Sequence, residues 1–172
     1  MVTDLLDWDG MGKLRTIRGV YEALYDAGGS RVSATRGGTT HTYSFGAGLL
    51  RDSTSGGARV HTPGISQGDA TGEEYFHEDW LGSVRYTTPE LGSLASATSK
   101  SYDAYGYQGH HPSQETVQFA GLHGYQSDVP NGLQLLGARY YDPYVGRFLN
   151  PDAIGFELDR NTPLPANNGR PQ

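Results

Sequence analysis

The sequence contains no cysteine, so neither disulfides nor thiolate metal centres hold it together. Long apolar runs are missing too, and nothing approaches the roughly 20 residues that a bilayer-spanning helix needs. Leu, Ile, Val and Phe supply only 32 of 172 residues, a share close to that of disordered chains. Positive charge is scarce. Thirteen Lys and Arg face 19 Asp and Glu, for a net charge of −6, which argues against a nucleic-acid partner gripped through its phosphates. Met1-Val2-Thr3-Asp4 lacks the basic start of a secretory signal, so export is expected to use a signal outside this chain.

What the chain does hold is glycine and tyrosine. Gly takes 25 positions, Tyr 12 and Trp 2, and the aromatic area makes up for the thin aliphatic stock. A single ordered, turn-rich β domain follows. Short stretches of β-branched, aromatic and small residues alternate with glycine turns. Thr39–Phe45 puts His41, Tyr43 and Phe45 on one side of a strand and Thr or Ser on the other. Further strands are expected at 31–36, 58–62, 73–77, 83–88, 94–102, 117–120 and 133–141. Their close spacing implies antiparallel hairpins, since parallel pairs need long crossovers. Leu14, Ile17, Tyr21 and Leu24 fall at helical spacing, but Gly19 interrupts them, and strand is preferred there. Residues 63–72, 108–114 and 121–132 read as loops, and 157–172, rich in Pro and Asn, as a disordered or extended tail.

One turn recurs. Asp-x-x-Gly occurs at 7/10, 9/12, 26/29, 69/72, 79/82, 103/106 and 152/155, where chance would place about two such pairs. The Asp side chain can accept a backbone N–H two residues on, and the Gly takes the positive φ that closes the turn. An aromatic residue precedes the Asp in Trp8-Asp9, Tyr25-Asp26, Tyr102-Asp103 and, with a longer turn, Tyr141-Asp142. The unit is therefore strand, aromatic, Asp turn, Gly, strand: Trp8, Asp9 and Gly12; Tyr25, Asp26 and Gly29; Asp79 and Gly82; Tyr102, Asp103 and Gly106.

These residues carry a resemblance. Tyr25-Asp26-Ala27-Gly28-Gly29-Ser30-Arg31 resembles a repeat of the RHS/YD-repeat family. His77-Glu78-Asp79-Trp80-Leu81-Gly82-Ser83-Val84-Arg85 is similar to that family's HxDxLGSVR segment. The stretch from Gly132 to Asp152, with Arg139, Tyr141, Asp142, Gly146, Arg147 and Phe148 holding its turn, resembles the RHS-associated core. The resemblance covers roughly residues 8–156 and divides the chain into a repeat domain, 1–156, whose core occupies about 73–156, and the tail, 157–172. It implies an all-β fold of antiparallel YD-type hairpins, either a twisted open sheet or a small barrel-like spiral. In large relatives such sheets form hollow shells around toxins, or adhesive surfaces outside the cell. Many bacterial members end in an aspartate-dependent self-cleaving segment with two Asp-Pro-x-Gly-like elements. Here Asp152-Ala153-Ile154-Gly155 departs from the first and no second is present, so Asp152, with Asp159 its nearest candidate partner, is read as one more turn residue.

The remaining chemistry is sparse. The six His show no HxH or HExxH spacing, and structural use is preferred over zinc; no cofactor is expected. His77 and Asp79 are read as a turn-anchoring hydrogen bond rather than a catalytic dyad. Tyr140, Tyr141, Tyr144 and Phe148 fit either a carbohydrate platform or cross-strand packing, the second being preferred. About eight hairpins are too few to enclose a folded cargo, and an open sheet leaves two unpaired edges. The expectation is a non-enzymatic, extracellular or cell-surface structural protein that self-associates through sheet edges or its tail, as a homo-oligomer or filament. The alternative is a piece of an RHS toxin-delivery shell acting with a separately encoded partner.

Overall fold

A computed structural model describes residues 6–46, 48–92, 94–108, 115–128, 132–137 and 139–151. Fifteen strands are formed there: β1 Leu6–Trp8, β2 Leu14–Ile17, β3 Tyr21–Tyr25, β4 Arg31–Arg36, β5 Thr39–Phe45, β6 Leu49–Thr54, β7 Gly57–Thr62, β8 Ser66–Asp69, β9 Gly72–Glu78, β10 Val84–Pro89, β11 Thr98–Ser99, β12 Gln126–Asp128, β13 Leu133–Leu136, β14 Arg139–Asp142 and β15 Arg147–Phe148. All pairings between them are antiparallel. β1 to β11 make one sheet in strict chain order, and β12 to β15 a second, smaller one. The large sheet is open, so of the two forms expected it takes the sheet and not the barrel.

Period-two patterning decides which face is covered. Tyr21, Ala23, Ala34, Arg36, Tyr43 and Asp52 are buried along successive strands, while Glu22, Thr40, Thr42 and Ser44 between them are exposed. The core lies between the sheets. Leu14, Tyr21, Ala23, Ala34, Tyr43, Leu49 and Val84 of the large sheet meet Leu133, Leu135 and Tyr140 of the small one and Val117 of the connector.

Several local differences from the sequence reading have simple causes. The segment around Leu14 to Leu24 is two strands, with Gly19 at φ +78° in the turn between them and Val20 N–H donating to Ile17 O. Residues 133–141 are likewise two strands, split at Gly137, φ +61°. Residues 63–72 contain β8, a strand too polar (Ser66-Gln67-Gly68-Asp69) to be recognised from composition. Val117–Ala120 makes only a single bridge, Val117 to Gln126, and then turns at Ala120, φ 50°. Leu94–Tyr102 forms a short 3₁₀ turn, Leu94–Ser96, and the two-residue β11. Asp152, Asp159, the tail 157–172 and most of the 108–114 stretch, with His110 and His111, lie outside the described residues.

Candidate functional site

Four of the seven Asp-x-x-Gly matches fold into one and the same turn. In each, the Gly N–H donates to the Asp carbonyl: Gly12 to Asp9 at 3.0 Å, Gly29 to Asp26 at 3.0 Å, Gly82 to Asp79 at 2.9 Å and Gly106 to Asp103 at 3.1 Å. The Asp N–H donates across the turn to the residue four ahead, closing a type I turn with a glycine bulge. Asp Oδ1 accepts the N–H of that same residue: Lys13, Ser30, Ser83 and Tyr107 in turn, at 2.8–3.0 Å. The four glycines have φ from +73° to +86°. Asp142 makes the longer version, accepting Tyr144 N–H on its side chain and Gly146 N–H on its carbonyl. Asp69 binds Thr71 instead, and Asp7 lies within β1. The Asp152 match is outside the described residues.

The aromatic residue before the Asp does more than pack. Tyr25 OH donates to Leu14 O at 2.8 Å, and Tyr102 OH donates to Val84 O at 3.0 Å. Leu14 and Val84 each stand five residues after the Asp of the preceding turn, Asp9 and Asp79, and both are fully buried. A tyrosine thus ties its own turn to the one before. Trp8 packs edge-on against Tyr140 at 6.5 Å. Sequence spacing hid this tie because the two turns are joined by stretches of different length.

His77 lies away from Asp79. Its Nε2 is 2.9 Å from Thr88 Oγ1 on the neighbouring strand, while Asp79 Oδ1 is occupied by the N–H groups of Leu81 and Ser83. The aromatic group near the end is split. Tyr140 is buried, Tyr141 meets Phe148 edge-to-face at 5.4 Å, and exposed Tyr144 meets Tyr107 at 5.7 Å. Arg139 lies 3.7 Å from the centre of the Phe148 ring, and Arg147 stands opposite Asp142 in the backbone register of the last hairpin.

The densest chemistry sits where no motif pointed, in the junction between the sheets. Arg31 of β4 and Asp128 of β12, both with fully buried side chains, form an ion pair. Arg31 also donates to Gln126 Oε1 at 2.5 Å and to Tyr21 OH at 2.8 Å, and its guanidinium lies over the Tyr43 ring at 4.7 Å. Tyr21 OH and Tyr140 OH are 2.5 Å apart. Arg36 stands between Asp52 and Asp128. Burial works against the Arg31 charge, but the Asp128 carboxylate beside it opposes burial, and the guanidinium is held well above its ordinary range. Burial drives Tyr21 and Tyr140 up as well, with Asp128 adding to it, and pushes Tyr43 to about 12. These phenols stay protonated and neutral, so the junction is built for holding charge rather than for moving protons.

At the junction's rim lies an open cleft of about 680 Å³, lined among others by His41, Asp52, Arg59, Asp69, Glu115 and Thr116. His41 Nδ1 is 2.8 Å from Asp52 Oδ1, and Thr116 Oγ1 donates to Asp52 Oδ2 at 2.9 Å. Burial works to raise the Asp52 carboxyl, but His41, Thr116 and Arg36 outweigh it and hold it below its ordinary value. Since Asp52 takes both partners, the threonine hydroxyl is not lined up on the histidine as a nucleophile would be. Among the described residues, no three His, Asp or Glu groups converge as a metal site. No helix among them is long and apolar enough to cross a membrane.

No family model matches the chain. Among curated proteins it is 28% identical over 163 residues to Double-stranded DNA deaminase toxin A of Burkholderia cenocepacia (strain H111), an alignment covering 90% of this chain and 10% of that protein. Among solved structures it is similar to crystal structures of TcdB2-TccC3, at TM-score 0.64 and 18% identity, and of TcdB2-TccC3-Cdc42, at 0.63 and 18%. The overlaps cover 88% and 87% of this chain and 9% of each of those chains. The chain therefore spans about a tenth of the proteins it matches. The expectation of a non-enzymatic protein is corrected by this: the curated relative is an enzyme. Motif reading within 172 residues could speak only for the chemistry those residues carry. The relatives also favour the toxin-related reading over the fibre. What the comparisons give is a fold shared with about a tenth of TcdB2-TccC3 and a distant likeness to a deaminase toxin.

Proposed function

We propose that this chain is a wall segment of an RHS-type shell within a much longer toxin polypeptide, the two sheets of the described residues being part of that wall. The observation that carries this is the pairing of two facts. The alignment takes in nearly all of the chain but a tenth of a toxin, and the eleven-stranded sheet is open, with β1 and β11 at its two ends. Unpaired edges invite further strands, and in a longer chain the natural donors are neighbouring hairpins of the same polypeptide.

The cargo supported by the relative is a deaminase acting on double-stranded DNA. Zinc-dependent nucleobase deaminases bind their metal through a histidine and cysteines. This chain has no cysteine, so deamination of that kind would be carried by residues outside these 172, as would DNA binding, given the net charge of −6. A toxin of this design acts after export, which fits an extracellular destination.

The test is a duplex-DNA deamination assay on the polypeptide containing this chain, before and after limited proteolysis that leaves the sheet intact. Activity is expected to be low when the polypeptide is whole and to rise on cutting. The 172 residues alone are expected to run in light scattering as an 18.6 kDa particle. Regular filaments, or a parent polypeptide bearing no enzymatic segment, would overturn the reading.

A further inference from the structure

We infer that the junction between the two sheets binds ordered water at two fixed places, one beside Arg36 and one beside His61. Arg36 is buried between two carboxylates, yet both approaches stop at 3.7 Å: Nη2 from Asp52 Oδ2 and Nη1 from Asp128 Oδ1. That is beyond hydrogen-bond length. Among the described residues its one hydrogen bond runs from Nη1 to Ser127 O, at 3.2 Å. Around it, Arg36 Nε and Nη2, Arg31 Nε, Tyr43 OH and Asp128 Oδ1 are all buried with no hydrogen-bond partner among the described residues. Buried polar groups left bare are costly, most of all on charged side chains, and folded proteins almost always satisfy them. Five such atoms in one neighbourhood call for a guest.

Charge identifies its class. Arg31 and Arg36 are already balanced by Asp52 and Asp128, so an added anion or cation would leave net charge in a buried junction. The orphans include guanidinium donors, a carboxylate oxygen and a hydroxyl that can do either. The guest must be neutral, small, and both donor and acceptor. Water meets all of these demands, and gaps beyond 3.5 Å between polar groups are where it bridges.

The second place has an independent basis. His61 of β7 is 4% exposed, and neither ring nitrogen has a hydrogen-bond partner among the described residues. It lines a pocket of about 30 Å³ together with Leu49, Phe76, Val117 and Gln126, room for a single water. Gln67, directly opposite in the β7–β8 register, also has an unpartnered buried Oε1. The junction thereby combines the buried Arg31–Asp128 ion pair with two hydrated positions, the first of them touching that pair through Asp128 Oδ1.

An atomic-resolution crystal structure of the 172-residue chain, grown with bromide, tests this. Density without anomalous signal is expected at hydrogen-bond distance from Arg36 and Asp128, and again at His61. An anomalous peak at Arg36 would replace water by an anion and overturn that site. Empty density at either place, with the side chains meeting each other directly, overturns the water there. Arg36→Met is expected to abolish the first density and keep the second; if both persist unchanged, the assignment of Arg36 as host falls. Should Arg36→Met fail to fold, Tyr43→Phe, which removes a single hydroxyl, is expected to weaken or shift the first water, and an unchanged peak overturns its place in the cluster.

Discussion

The rim turns and the junction between the sheets solve the same problem, satisfying polar groups, in opposite ways. In the turns, Asp9, Asp26, Asp79 and Asp103 each bond N–H groups no more than four residues away, and most of those bonds are exposed. In the junction, Arg31 reaches Gln126 and Asp128 across 95 and 97 residues, all of it buried. Local, wet bonds specify where the chain reverses but contribute little each. Distant, dry ones contribute little net energy as pairs, yet cost a great deal when one partner is lost. The lesson is that the repeat draws the sheet, whereas the junction holds the second sheet against the face that the alternation presents.

The sharpest break of that contrast is Asp128→Ala, which strands Arg31 and Arg36 without their shared carboxylate. A loss of about 3–5 kcal/mol is expected in urea unfolding. Replacing both members of the pair, Arg31→Met with Asp128→Leu, is expected to restore most of it; if the double variant is as unstable as the single one, the charge argument is wrong. Gly106→Val comes next, at about 3 kcal/mol, because this turn glycine combines φ +86° with a side chain's would-be position 2.6 Å from the Phe119 ring. A neutral result would remove the turn from this part of the chain.

His61 separates the regions by pH. Burial lowers its pKa to about 4 from 6.5, with Asp52 opposing and Arg59 adding to the shift. Between those values the unfolded chain holds the extra proton, so stability falls as pH drops through 6.5 toward 4. At pH 5 the loss is about 2 kcal/mol. His61→Leu is expected to flatten that stretch of the stability profile, and an unchanged slope would show that His61 is not the group responsible. The smallest effect belongs to the rim: Tyr102→Phe, which removes only the bond to Val84 O, is expected to cost about 1 kcal/mol by thermal unfolding.

Much of the sheet was legible because its signals are local. Gly12, Gly29, Gly82 and Gly106 announce their turns through the Asp three residues earlier, and Thr39–Phe45 announces its strand by alternation. Where local signals mislead, the tertiary setting had overruled them. β8 is polar yet central, because Gln67 and Ser66 find partners in Glu74 and Glu73 on the next strand. The junction was invisible for a deeper reason. Arg31, Asp52, Asp128 and Gln126 are ordinary polar residues in the sequence, and only the stacking of the small sheet on the large one buries them together. His77 was misplaced on a smaller scale, since sharing a face with Asp79 mattered less than Thr88 beside it.

The hydroxyl ties from Tyr25 to Leu14 and from Tyr102 to Val84 have a consequence for how such a chain can change length. Two modules are anchored in this way to their predecessors, so part of the coupling runs between nearest neighbours, as in linear repeat arrays, while Tyr25 OH also reaches Tyr140 OH of the small sheet at 3.2 Å. Duplicating or deleting a tied pair of modules as a whole keeps each phenol with its carbonyl. Removing part of a module leaves a phenol without its carbonyl and a strand out of phase, so growth by recombination is quantised in complete modules.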